Sequence, residues 1–262
     1  MRLSKRPGGL NTSVPHTARV WNYWLGGKDN YDVDKNLGDQ IADAFPEMPT
    51  LACASRAFLT RAVRYLVAGA GVRQFLDVGT GLPTAENTHQ VAQAAAPECR
   101  IVYVDSDPLV LSHARALLTS TSGGTTDYVD ADLRDTDRIL REAARTLDLT
   151  QPIGLILLGI LGHVEAHDEA RAIVDRLMRP LAPGSYLVSS DGTTTSPGVI
   201  EAARLWNLSA NPRYHLRSPD QITAYFDSLE PVEPGIVSVA YWRSVLDDPA
   251  HVDNYGGVGR KP

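Results

Sequence analysis

The run FLDVGTGLPT, residues 75–84, places a carboxylate, Asp77, at the end of an apolar stretch and directly before Gly79-Thr80-Gly81. Glycines in such a loop let the backbone approach a ligand closely and tolerate positive φ. In dinucleotide-binding folds the same loop offers N–H groups and a helix dipole to a pyrophosphate. Asp77 opposes that use: at an effective dielectric near 20, like charges about 4 Å apart repel by roughly 4 kcal/mol. Thr84 also stands where the third glycine of a dinucleotide loop would be. A carboxylate here suits a cation.

Further acids occur at matching positions. The stretch YVDSDP places Asp105 and Ser106 after a second short apolar run, and Asp132-Leu133 follows a third. A carboxylate like Asp105 can accept from both hydroxyls of a ribose. Asp132 offers an acceptor for an exocyclic amine, and Leu133 a backbone N–H for a ring nitrogen. Any one strand-end Asp can simply cap the next helix, but Asp77, Gly79, Gly81 and Asp105 together point to S-adenosylmethionine (SAM), a ligand with an ammonium, a sulfonium and no phosphate.

These acids need strand ends aligned on one edge of a sheet. Apolar runs at 72–78, 101–104, 128–129, 153–161 and 186–190 alternate with helix-spaced segments, which predicts a parallel α/β sheet with helices on both faces. Thr84 is a plausible cap for the helix after the glycine loop. Another helix is expected through Leu111, Ala114 and Leu118. Ser218-Pro219-Asp220-Gln221 is a capping box, residues 236–242 read as a strand, and 255–261 pairs back antiparallel. A flexible tail (1–15), an N-terminal helical extension (16–71) and one core (72–262) are the expected divisions.

Composition fits a soluble domain: 43% apolar, 21% charged and a formal net charge of −6. The negative balance disfavours nucleic acid as a partner, and no apolar run reaches the length of a membrane span. Cys53 and Cys99 form neither a disulfide framework nor a metal motif, and the histidines show no metal spacing, so a cytoplasmic protein without metal is expected. A homodimer stays open, with no residue evidence behind it.

With these residues in place the chain resembles the class I SAM-dependent methyltransferases. FLDVGTG is similar to their first motif, YVDSDP to their ribose-binding acid, and LAPGSYLV to their turn into the fifth strand. It is closer still to a bacterial family of "S-adenosyl methyltransferase" proteins, formerly a domain of unknown function, through ARVWNYWLGGKDNYDVD, DVGTGLPT and SVAYWR. The resemblance implies a Rossmann-like, seven-stranded, mostly parallel sheet with an antiparallel C-terminal hairpin. It also implies SAM as cofactor, S-adenosylhomocysteine as product, and an acceptor that it does not identify.

Val20, Tyr23 and Trp24 share a helical face that Gly26-Gly27 ends. Such a segment can cover the methionine end of SAM, with Arg19, Lys28, Asn30 or Tyr31 meeting its carboxylate. Alternatively, it packs as an extra helix with Arg19 in an ion pair. After the fourth strand, His163 can act as base or touch the acceptor, or be satisfied locally; Glu165 suits a first helical turn. No Asn/Asp-Pro-Pro-aromatic signature for amide or amine methylation is present. Arg213, Tyr214 and Arg217 are candidate substrate contacts or a solvated loop. The leading function is methyl transfer to a small molecule; a SAM-binding sensor without turnover is the alternative, and an NAD-dependent oxidoreductase fits Asp77 poorly.

Overall fold

A computed structural model of the chain describes residues 12–83, 86–110, 112 and 120–262. The apolar runs become strands β1 (Gln74–Val78), β2 (Arg100–Asp105), β3 (Thr125–Asp130), β4 (Gly154–Leu158) and β5 (Tyr186–Gly192), all parallel. They are joined by β6 (Glu230–Pro231), β7 (Val237–Ser238) and β8 (Asn254–Arg260). The order is β3-β2-β1-β4-β5-β8-β6, with β8 antiparallel to β5 and β7 also pairing with β8. One broken strand therefore makes eight segments of the seven-stranded plan.

Alternation along the strands sorts side chains to two faces. Leu76, Val78, Val102, Val104, Leu155 and Leu157 pack with Ile139 of α5 (Thr136–Ala143) and with Ile173 and Leu177 of α6 (His167–Met178). Phe75, Ile101, Tyr103, Ile156 and Val188 pack on the opposite face. Their partners include Phe58 and Ala62 of α3 (Met48–Arg64), Val91 of α4 (Thr88–Ala95) and Val199 of α7 (Pro197–Ser209). Ahead of α3, α1 (Thr17–Trp24) and α2 (Asp32–Ala44) form a helical extension, and Gly26 closes α1 at φ 74°. The Ser218–Gln221 capping box opens α8 (Pro219–Thr223).

Some expectations need adjustment. The cap expected at Thr84 and the helix expected through Leu111, Ala114 and Leu118 lie wholly or largely outside the described residues; α4 itself starts from Asn87, in a box with Gln90. The strand expected over 236–242 is only two residues long. Trp242 turns fully into the core against Phe58, with ring centroids 5.4 Å apart. Arg61 donates to the carbonyls of Val239 and Trp242 at 2.6 and 2.7 Å, which takes these groups out of any ladder. Tertiary packing outweighs the local strand pattern there.

Candidate active site

The carboxyl ends of β1, β2 and β4 open onto a cavity of about 510 Å³, at the edge where open α/β sheets bind ligands. Gly79 and Gly81 turn the loop after β1 at φ 77° and 66°. A Cβ on Gly79 would lie 2.5 Å from Ile160, so this turn and the loop after β4 approach too closely for any side chain. The Gly79 N–H is held by the Val104 carbonyl at 2.8 Å, and Gly81 N–H donates to Asp105 Oδ2 at 3.0 Å. Asp105 Oδ1 accepts from Asp107 N–H at 2.9 Å. The loop and the second strand end are thus fixed to each other, and carboxylate oxygens keep further lone pairs for a ligand.

Asp77 is buried and accepts from the Thr88 hydroxyl at 2.6 Å. Burial pushes its carboxyl up to about 6, while the Thr88 hydrogen bond and Arg56 pull the other way. Asp105 is also raised, again mainly by burial. Asp77, Asp105 and Asp107 all line the cavity. Two raised acids beside each other describe a place where a cation would restore their charge.

The roof is α1. Arg19, Trp21, Asn22 and Leu25 line the cavity from it. Arg19 is buried, ion-pairs with Asp34 at 2.8 Å and lies over the Tyr31 ring at 5.2 Å. His16 contacts Asp107 at 3.1 Å and bridges to Asn211, which ties the roof to the second strand end. Tyr23, Gly26, Lys28, Asn30 and Tyr31 lie outside the cavity lining. Tyr23 donates to Asp39 at 2.6 Å, and Asn30 donates to Asn22 Oδ1 at 3.0 Å.

On the far side, Leu158, Gly159, Ile160, His163 and Pro212 line the cavity. His163 Nδ1 is 2.8 Å from the Arg213 carbonyl oxygen. A carbonyl only accepts, so Nδ1 carries the proton and Nε2 of the neutral ring carries the lone pair. Burial lowers the His163 pKa, against the opposing hydrogen bond to Arg213. Asp132 is exposed and accepts from Arg134 N–H at 2.8 Å, and Leu133 packs into the core; both lie outside the lining.

Arg213, Tyr214 and Arg217 are also outside it. The Tyr214 hydroxyl donates to the buried Asp191 at 2.6 Å, and Arg217 donates to the Val164 and Glu165 carbonyls. Gly162 faces the Tyr214 ring: a Cβ there would lie 2.5 Å from it.

A family model described as S-adenosyl methyltransferase matches residues 4–262. The chain belongs to the S-adenosyl methyltransferase family. It is 43% identical to a DUF574 family protein from Streptomyces avermitilis MA-4680, over 96% of this chain and 99% of that one, with a TM-score of 0.92. An inferred methyltransferase from Thermobifida fusca YX is 38% identical over 98% of each chain, TM-score 0.88. The N-methyltransferase NodS from Bradyrhizobium japonicum WM9, in complex with S-adenosylhomocysteine, shares the fold at 18% identity; 87% of this chain and 97% of that one are covered, TM-score 0.51. No curated protein matches the sequence.

The enzyme is a SAM-dependent methyltransferase, and the cavity chemistry fits its cofactor: acids for cationic groups and glycines for close approach. Among the described residues no His, Cys, Asp or Glu group could hold a metal ion, and no helix is long and apolar enough to cross a membrane. Sequence reading missed several residues that line the methyltransferase cavity: Trp21, Asn22, Ser55, Arg56, Ser190, Pro212 and Asn254. Arg56, on α3, donates to Asn87 at 2.9 Å and draws Asp77 toward its charged form. It is one of three arginines on that helix, with Arg61 and Arg64, and nothing in the sequence sets it apart from them.

Proposed function

We propose that this methyltransferase methylates a hydroxyl of a small molecule, with His163 as the general base. The observation that carries the reading is the Nδ1 contact with the Arg213 carbonyl, which leaves Nε2 basic in a residue lining the cavity. Bound SAM supplies a methyl group already activated on a sulfonium. Asp77 would hold its ammonium, Gly79, Thr80 and Gly81 its chain, and Asp105 with Ser106 its ribose. Arg56 or Asn22 would meet its carboxylate in place of the residues 28–31, which lie outside the lining. The acceptor oxygen forms its bond to the methyl carbon as the carbon–sulfur bond breaks. The hydroxyl proton passes to Nε2, and the sulfur leaves as neutral thioether.

Apolar groups support a small, largely uncharged acceptor: Leu158, Ile160 and Pro212 line the cavity with His163, and Trp21 and Leu25 line it from the roof. In this reading α1 covers the methionine end and keeps water from the methyl group, since its residues form the cavity roof. Positioning of this type can supply about 7–11 kcal/mol of the barrier.

The test is incubation of the protein with methyl-labelled SAM and a panel of small phenols, alcohols and amines, read by mass spectrometry. The expected product is a methyl ether, formed at least about 100-fold more slowly by His163→Ala. An amine product formed equally fast by that variant would sink the assignment of His163. Tight SAM binding with no labelled product from any panel member would favour the sensor reading.

A further inference from the structure

The carbonyl that sets the His163 tautomer belongs to a segment without regular secondary structure, so something else must hold it. Asn207 of α7 clamps Tyr214 on both backbone sides, accepting from its N–H at 2.7 Å and donating to its carbonyl at 2.8 Å. His215 N–H donates to the Gly162 carbonyl at 2.7 Å. The Tyr214 side chain adds a deeper anchor. Its hydroxyl donates to Asp191 Oδ1 at 2.6 Å and accepts from Gly192 N–H at 3.0 Å, while its ring stands edge-on to His163 at 5.1 Å.

Asp191 Oδ1 also accepts from Gly162 N–H at 3.2 Å. One carboxylate oxygen is therefore shared by the residue before His163 and the residue after Arg213. The contacts close a ring: Asp191 to Gly162, along the peptide to His163, across to the Arg213 carbonyl, along the peptide to Tyr214 and back to Asp191. Asp191, Tyr214 and Gly162 all lie outside the cavity lining, so none of them is placed to touch a ligand. A ring of this type fixes a donor and an acceptor relative to each other without contributing to the cavity wall.

We propose that Tyr214, acting through Asp191, is a positioning residue for His163: it holds the Arg213 carbonyl against Nδ1 and so reserves Nε2 as the basic nitrogen. This rests on the reading of His163 as the base, but the tautomer itself can be measured without an acceptor.

The experiment is long-range proton–nitrogen NMR of the full chain labelled with 15N-histidine, with the His163 signals identified by their loss in His163→Asn. The wild type is expected to carry its proton on Nδ1. Tyr214→Phe keeps the ring and loses the hydroxyl; it should lower the Nδ1–H to Nε2–H ratio about fivefold, as expected for one lost hydrogen bond. Asp191→Ala should behave alike. Asp191→Asn retains an accepting oxygen and should hold the wild-type ratio.

A wild type protonated on Nε2, or a Tyr214→Phe ratio equal to wild type, overturns the proposal. If Tyr214→Phe does not fold, the Asp191 pair decides, and equal ratios in the Ala and Asn variants overturn it. SAM calorimetry on the same samples separates the two levels: binding unchanged in Tyr214→Phe is expected. Failure of the wild type to bind SAM would remove the cofactor assignment while leaving the tautomer result to stand.

Discussion

Asp77 and Asp191 sit at the ends of β1 and β5, both buried and both raised by burial, to about 6 and about 7. They differ in what compensates them. Asp77 lines the cavity and has the Thr88 hydroxyl and the nearby Arg56, so a ligand cation can complete its surroundings. Asp191 lies outside the lining and is engaged by Tyr214 and Gly162 from within the protein. The same residue type, costly to ionise in both places, faces the cavity at one strand end and is engaged from within the protein at the other.

The largest expected effect is on the recognition side. Asp105→Ala should weaken SAM binding by at least about 100-fold in calorimetry, since it removes the proposed ribose acceptors and also the hold on Gly81. Retained affinity would reduce Asp105 to a loop brace.

Next comes the charge of Asp77. Its folded pKa lies above its unfolded value, so its ionisation costs stability; that cost is absent below about pH 4 and complete above about pH 6. Asp77→Asn should therefore raise the stability of the ligand-free protein at pH 7.5, by up to about 3 kcal/mol in denaturant titration. The same variant should bind SAM about thirtyfold more weakly. In the wild type, SAM affinity should fall toward tenfold per pH unit as the solution drops through pH 6, and lose that slope in Asp77→Asn. A variant that is neither more stable nor weaker in binding would erase the difference between the two acids.

The smallest effect sharpens the comparison from the other side: Asp191→Asn should leave SAM affinity within about twofold of wild type. A large loss there would show that Asp191 also shapes the cofactor site.

The recognition side was the more legible in sequence. Asp77, Gly79, Thr80 and Gly81 are nearly consecutive, and Asp105 and Ser106 end the neighbouring strand, so a parallel sheet alone brings them to one cavity. Trp21, Arg56 and Asn254 come from α1, α3 and β8, whose approach depends on how helices and a late strand pack, which no local pattern records. The 213–217 segment was only partly legible, for a physical reason. Its polar residues read as a solvated or substrate-facing loop; Arg213 does stay exposed, but the glycine at 162 admits the Tyr214 ring and Arg217 is buried. Asp132 and Leu133 follow the third strand, as the pattern requires, but Asp132 turns outward to Arg134. Among the strands, β1 to β5 were legible from apolar runs, while 236–242 was overruled by the burial of Trp242.

The position of β8 between β5 and β6 has a bearing on how the protein is made. Residues 254–260 are translated after every other strand among the described residues, where they supply the second neighbour of β5 and the only partner of β6 and β7. Until they emerge from the ribosome, β5 presents an open edge to other nascent chains, and such edges invite aggregation. Lys261 then fastens the new strand, donating to the carbonyls of Met178, Arg179 and Leu181 where α6 ends. The sheet is closed by a strand that follows each of its partners in the chain, so β5 keeps an unprotected edge until β8 has been made.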